Sequence, residues 1–308
     1  MTIRSLLLPL DGSDLAESAL PAAAYLARLF GASVTLFHVI EKGARNTIHS
    51  SRHLTQPPEA NRYLKEAAAR YFPAEINVKR HVHQAAVRDV ARSIVDHARD
   101  LRTDLIILCA HGTGGARDLL IGNIAQQVIS RGPTPVLLLR PKAPPAPDAP
   151  YAFHSLLLPF DGVPDHERGG EMGEEIAVKC GAAVHLAMVV PTPSTLSGEL
   201  AAAGRLLPGS TAALLDMTEE ESRNYLEGQS DRIGKKGIAV TIQVVRGDPA
   251  EELAELANSR QDDLIVLGTH GKAGSKAFWN RSVAARVLAK IKIPALLVPV
   301  STERRKRE

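Results

Sequence analysis

The chain has 308 residues, 44% of them hydrophobic, with 37 Lys and Arg against 34 Asp and Glu and a net charge of +3. That length suits about two ordinary domains with a packed core each, and so small a charge makes no electrostatic case for nucleic acid as the main partner. No apolar run approaches the roughly 20 residues of a membrane helix; the early run at 6–10 is too short for a signal peptide and ends in Asp11; Cys109 and Cys180 fall one in each half, which indicates no disulfide framework. The expectation is a cytoplasmic protein without membrane contact.

Residues 3–10, IRSLLLPL, predict a first strand, closed by the turn Asp11-Gly12-Ser13. Residues 14–30 place Leu15, Ala19, Ala22, Ala23, Leu26 and Leu29 on one stripe, the period of an amphipathic helix, and Gly31 ends it as a C-cap. A second strand is expected at 34–40, VTLFHVI, a polar loop with paired prolines at 41–58, a helix at 59–72, a third strand at 76–82 and a helix at 86–99. The fourth strand, 105–108, runs into a glycine-broken loop within DLIILCAHGTGGARDLLIGNI at 104–124; a helix opens at Asn123 and runs to Arg131, and 136–139 forms a fifth strand. Strands alternating with helices predict a parallel sheet with helices on both faces and right-handed crossovers.

Residues 141–150, PKAPPAPDAP, hold five prolines and no large apolar side chain, the composition of a semi-rigid linker. Then the pattern restarts. SLLLPLDG at 5–12 returns as SLLLPFDG at 155–162 and GASVTLFHVI at 31–40 as GAAVHLAMVV at 181–190, both at an offset of 150. DLIILCAHG at 104–112 returns as DLIVLGTHG at 263–271 and TPVLLL at 134–139 as IPALLV at 293–298, both at 159. The second half has gained nine residues between Val190 and Asp263, and the stretch 191–217 is the expected place, as a lid, a helix over the crevice or a lobe contact. Domains are expected at 1–140 and 151–308, the second ending in a solvated basic tail at Arg304, Arg305, Lys306 and Arg307.

The glycine loop carries the chemistry. Gly112 and Gly122 let backbone approach an anion closely, and a helix opening at Asn123 aims free N–H groups at it, so a triphosphate is the natural guest. Open parallel sheets bind ligands beyond the carboxyl ends of strands where strand order reverses. Asp11, ending the first strand, faces that crevice and can accept from a ribose hydroxyl or a base amine; the plain alternative is that these glycines only make tight turns.

The LLLPLDGS opening, the HVI end of the second strand and the HG-nine-GN loop together resemble the universal stress protein family, in both halves. That resemblance implies two tandem flavodoxin-like domains (adenine nucleotide α-hydrolase-like), each a five-stranded parallel sheet, and, in the branch whose motif is G-x2-G-x9-G-[ST], ATP held without a Walker loop. Carried over by position, the adenosine side falls at Pro9, Asp11 and Val39, and the phosphate side at His111, Gly112, Gly122, Asn123 and Ile124. Cys109 stands where the first glycine belongs and Asn123 where Ser or Thr belongs, both mild changes, Asn being as good an N-cap as Ser. The second half keeps Asp161, Val189, Gly268, Gly271 and Ser282 but places Arg281 at the third glycine and GVPDHERGG after its first strand, which implies a weakened or repurposed site.

The resemblance implies a regulator that binds adenine nucleotide, chiefly in the first half, with Mg²⁺ as companion to the triphosphate and at most slow hydrolysis; no Ser-His-Asp set or paired carboxylate can be assembled from the motifs. The alternative is an interaction scaffold of the same fold without nucleotide. An adenylating enzyme would need an SGGxDS loop after the first strand, which DGSD does not supply. The resemblance further implies that the last strands of the two halves pair as a pseudo-dimer, with homodimerisation beyond that. His81 and His83 share a strand face, and with His111 suggest zinc only weakly, without a Cys-x2-Cys partner. Cys109, near a helix N-terminus, raises redox sensing, though a small residue at a glycine position is the preferred reading. Trp279 is expected beneath its loop or in the crevice.

Overall fold

The computed structural model describes residues 2–44, 47–48, 51–110, 122–140, 151–163, 167–196, 202, 206–260, 262–270 and 282–300. The proline-rich linker, the basic tail, Trp279 and most of both glycine loops lie outside them, as does part of the stretch 191–217. By its contacts the chain forms two compact units, the first holding Met1–Ala152 and Pro294–Pro299, the second Phe153–Thr269 and Ser275–Ile293 among its segments.

In the first unit the strands are β1 (Ser5–Pro9), β2 (Ser33–Glu41), a short antiparallel ribbon β3 (Thr47–Ile48) and β4 (Ser51–Arg52), β5 (Val78–Val87), β6 (Leu105–Cys109) and β7 (Val136–Leu139). The helices are α1 (Asp14–Glu17), α2 (Leu20–Phe30), α3 (Pro57–Tyr71), α4 (Val90–Asp100) and α5 (Asn123–Arg131). The main sheet runs β5-β2-β1-β6-β7 with every neighbour parallel. Leu6 to Leu8, Leu105 to Leu108 and Val136 to Leu139 are buried without alternation, as strands covered on both faces must be. Consecutive side chains on β2 show that cover: Phe37 packs its ring 4.6 Å from His97 of α4, while His38 points the other way, to Leu54 just ahead of α3.

The second repeat contributes β8 (Ser155–Phe160), α6 (Glu167–Cys180), β9 (Ala183–Val190), α7 (Pro208–Gly234), β10 (Val240–Arg246), α8 (Pro249–Ser259), β11 (Leu264–His270), α9 (Val283–Leu288) and β12 (Ala295–Val300). Here β10-β9-β8-β11 are parallel neighbours. The residues of β12 that belong to the first unit run antiparallel to β7, with Ala295 opposite Leu138 and Leu297 opposite Val136.

Four local expectations change. The single helix over 14–30 breaks at Ser18 and Ala19, because Pro21 lacks an N–H and its ring clashes with the carbonyl one turn back. The polar loop after β2 contains the ribbon β3–β4. The third strand continues to Val87, and α4 begins only at Val90, because Asp89 caps it by accepting from the Arg92 N–H at 3.0 Å. The extra length of the second repeat goes into α7, a helix of 27 residues where α3 has 15.

Candidate functional site

Strand order reverses between β1 and β6, and the crevice sits at their carboxyl ends. A cavity of about 320 Å³ opens there, large enough for a nucleotide-sized ligand. Its wall at the end of β1 is Pro9, Leu10 and Asp11; β2 contributes Phe37, His38, Val39 and Glu41; β6 contributes Leu108 and Cys109; α5 contributes Asn123, Ile124 and Ala125.

Each polar group is positioned by a local device. Gly12, at φ +90, lets the chain turn sharply after Asp11. One carboxylate oxygen of Asp11 then accepts from the Ser13 N–H at 2.9 Å and the Ser13 hydroxyl at 2.6 Å, while that hydroxyl caps α1 by accepting from the Ala16 N–H at 3.1 Å. Asp11 is thereby held toward the cavity rather than left to swing. At the far side Gly122, not Asn123, is the N-cap of α5, so the cap residue itself has no side chain to close that helix end. Asn123 is the first helical residue, and its amide oxygen accepts from Gln127 at 2.9 Å. The N–H groups of that first turn have no acceptor within the helix, and the helix dipole adds partial positive charge.

Burial pushes the Cys109 thiol well up, and the negative charge of Asp11 adds to the effect. A thiol held protonated is a poor nucleophile, which removes the ground for redox sensing at Cys109. His81 and His83 belong to a ring cluster in which His97 lies 5.0 Å from each; burial and the neighbouring imidazoles push both downward. Among the described residues no group of His, Cys, Asp and Glu is placed to hold a metal ion.

Of the residues expected from sequence in the first half, Pro9, Asp11, Val39, Cys109, Asn123 and Ile124 line this one cavity and Gly122 adjoins it. His111 and Gly112 lie outside the described residues. Sequence reasoning missed Ser13, Phe37, His38, Glu41, His53, Val90 and Ile94 in the wall; the signal available was the alternation along β2 and the Asp89 cap that brings the start of α4 over it.

The second repeat arranges its matching positions differently. Asp161 is exposed and accepts from the Val163 N–H at 3.0 Å. Gly268 is backed by α6: a methyl group on Gly169 would lie 3.4 Å from the Gly268 nitrogen. Ser282 caps α9, accepting from the Ala285 N–H at 3.2 Å, so its oxygen is already engaged by the protein. Val189 is half-buried on β9; Gly271 and Arg281 lie outside the described residues.

Parallel strands with a ligand-sized crevice at the reversal of strand order define a doubly wound α/β protein of the flavodoxin-like class. The chain belongs to the universal stress protein family, whose model matches twice, over residues 2–140 and 152–299. It is similar to the universal stress protein MJ0531 of Methanocaldococcus jannaschii, 27% identical over 146 residues that cover 47% of this chain and 82% of the relative. The solved universal stress protein of Archaeoglobus fulgidus matches 98% of both chains at a TM-score of 0.65 and 16% identity, a likeness of fold. A universal stress protein solved in complex with cAMP covers 49% of this chain and 100% of its own at 22% identity and a TM-score of 0.38. Among the described residues no helix is long and apolar enough to cross a membrane.

Proposed function

We propose that this chain is a regulatory universal stress protein that binds an adenine nucleotide, with ATP as the preferred guest, in the cavity of its first unit. The observation that carries the reading is the pairing, across one cavity, of a fixed carboxylate with the N-terminus of α5, whose cap residue is a glycine and supplies no side chain. Asp11 is suited to a ribose hydroxyl, the first turn of α5 to phosphate, and Phe37, Val39, Val90 and Ile94 to the faces of a base. The residues therefore suit adenosine at one end and an anion at the other. Mg²⁺ would travel with the phosphates, since it takes only one or two protein carboxylates. The role is binding, with hydrolysis slow at most.

The sites follow by unit. In the first, Pro9, Asp11, Val39, Cys109, His111, Gly112, Gly122, Asn123 and Ile124 form the nucleotide site. In the second, Asp161, Val189, Gly268, Gly271, Arg281 and Ser282 form a weakened or repurposed site, a reading that the capping by Ser282 and the seat of Gly169 against Gly268 support. Domains at 1–140 and 151–308, a cytoplasmic location, an intramolecular pseudo-dimer and homodimerisation complete the proposal. Denaturing the purified protein and assaying the supernatant tests it: released adenine nucleotide, or calorimetric binding of added ATP, is the expected result. Absence of both leaves the scaffold reading.

A further inference from the structure

Glu41 is the last residue of β2 and His53 directly follows β4; both line the cavity. The Glu41 side chain is 40% exposed, as at a rim, whereas that of His53 is only 6% exposed. The His53 Nε2 lies 3.9 Å from a Glu41 carboxylate oxygen, too far for a hydrogen bond between the two. Among the described residues neither side chain has a hydrogen-bond partner. A nearly buried imidazole that the protein leaves unpaired is costly, so its complement is expected from outside the chain.

The other polar side chains of the wall are engaged by the protein. Asp11 accepts from Ser13, and the Ser13 hydroxyl caps α1. The ring nitrogens of His38 lie 2.7 and 2.9 Å from the backbone carbonyls of Leu10 and Leu54. Asn123, across the cavity on α5, accepts from Gln127. Glu41 and His53 remain for the ligand, and their place suits the end that holds a base. Phe37, Val39 and Glu41 alternate along β2 and so share its one side. Phe37 and Val39 are the residues suited to the face of the base, and Glu41 comes one step further toward the carboxyl end of the strand.

We infer that Glu41 is a specificity-determining residue of this cavity: with His53 beside it, its carboxylate reads the edge of the base and selects a 6-amino purine over a 6-oxo purine. This rests on the adenine-nucleotide reading. A carboxylate oxygen accepts, and an imidazole with its hydrogen on Nε2 donates. Side by side they offer an acceptor next to a donor. The edge of adenine is the complement, an exocyclic amine that donates beside a ring nitrogen that accepts. A 6-oxo purine reverses both, with a carbonyl beside a ring N–H. His53 can follow that reversal by carrying its hydrogen on the other ring nitrogen. The carboxylate cannot, and it would face the carbonyl oxygen with neither group satisfied. Discrimination therefore falls on Glu41, by the rule that a site built to pair one polar group rejects an analogue that leaves it unpaired.

The test compares the affinities of ATP and ITP by calorimetry; the two differ only in the amine or oxygen at the 6-position of the ring. The wild type is expected to bind ATP at least about tenfold more tightly, the worth of one hydrogen bond made against one refused. Glu41→Gln keeps the length of the side chain, and its amide offers either an oxygen or an N–H to the base. It is expected to bring the two affinities within about threefold of each other, chiefly by a gain for ITP. Glu41→Asp, which draws the carboxylate back by one methylene, is expected to weaken ATP and leave ITP nearly unchanged. A merely structural role would weaken both nucleotides alike and keep their ratio. Equal affinity for ATP and ITP in the wild type, or a wild-type ratio retained in both variants, overturns this inference and leaves nucleotide binding intact. Binding of neither nucleotide by the wild type overturns the nucleotide reading itself, and the role of Glu41 with it.

Discussion

After β1 the chain turns into one short helix, stops at Glu17 and restarts at Leu20; after β8 it runs as a single helix from Glu167 to Cys180. In the first unit Pro21 enforces the break, and Leu15 and Ala16, on the detached turn, line the cavity. In the second unit Gly169, Gly170 and Gly173 stand where Ala19, Leu20 and Ala23 stand in the first. They bring α6 hard onto its strands: a methyl group at Gly173 would lie 2.5 Å from Leu158 and 3.0 Å from Val266. One repeat uses the space behind its first strand as a hollow, the other as a packing seam. The glycine loop alone therefore does not decide whether a repeat of this family is built to hold a ligand; the helix after the first strand matters as much.

The buried polar groups differ in the same sense. Glu174, fully buried on α6, accepts from Arg232 at 2.9 Å and from Lys236 at 2.5 Å, both on the α7 side. Its counterpart in the first repeat is Ala24. Burial alone would raise the Glu174 carboxyl, but the two cations outweigh it and hold it below the usual range. Asp262, with His185 at 3.8 Å and Ser155 as donor, occupies the place of Thr103.

The sharpest way to break the contrast is at the helix end. Gly122→Glu should weaken ATP binding by at least about a hundredfold, because it puts a negative charge at the proposed phosphate seat. Gly122→Arg, which copies position 281 of the other repeat, shows whether a guanidinium clamps or fills the seat; calorimetry reads both. Equal affinity in wild type and Glu variant would remove the site from α5. Next in size, Glu174→Ala should cost about 2–4 kcal/mol of unfolding free energy by denaturant titration, since it strips the acceptor from two cations. The depressed carboxyl gives a sign as well. Its contribution is full above the unfolded value of about 4.3 and fades as pH falls through the lower folded value, so Glu174→Gln should flatten the acid limb of the stability profile.

Smaller effects sharpen the picture. Asp11→Asn, which keeps the shape that Ser13 binds, should weaken ATP by about tenfold while leaving stability nearly unchanged. Ser282→Ala should cost about 1 kcal/mol by removing the cap of α9. Gly122→Ser should do the reverse in the first repeat, adding a few tenths of a kcal/mol to stability by thermal unfolding while weakening ATP, because the new hydroxyl competes for the same N–H groups.

Much of this architecture was readable from the sequence because short unbroken runs such as LLLP and LIIL, alternating with helical stretches, suit parallel strands covered on both faces, and because the two repeats restate each other at fixed offsets. The misses were local. Periodic apolar residues at 14–30 masked the break that Pro21 forces, and Ala86 and Val87 looked helical although they continue β5. Asn123 read as a cap because its chemistry fits, yet the backbone places the cap one residue earlier, at Gly122. Within the cavity, the residues carried over by motif stand at strand and helix ends. Those that were missed, His38, His53 and Val90 among them, come together only when separate segments close on one another, a fact that spacing along the chain does not encode.

The β12 strand has a consequence for how the molecule is made. Ala295 to Leu297 pair along the outer edge of β7, so the sheet of the first unit gains this strand only after β8 to β11 have all been synthesised. Until then that edge of β7 lacks its partner, and during synthesis the nascent chain presents there a seam that β12 is shaped to close.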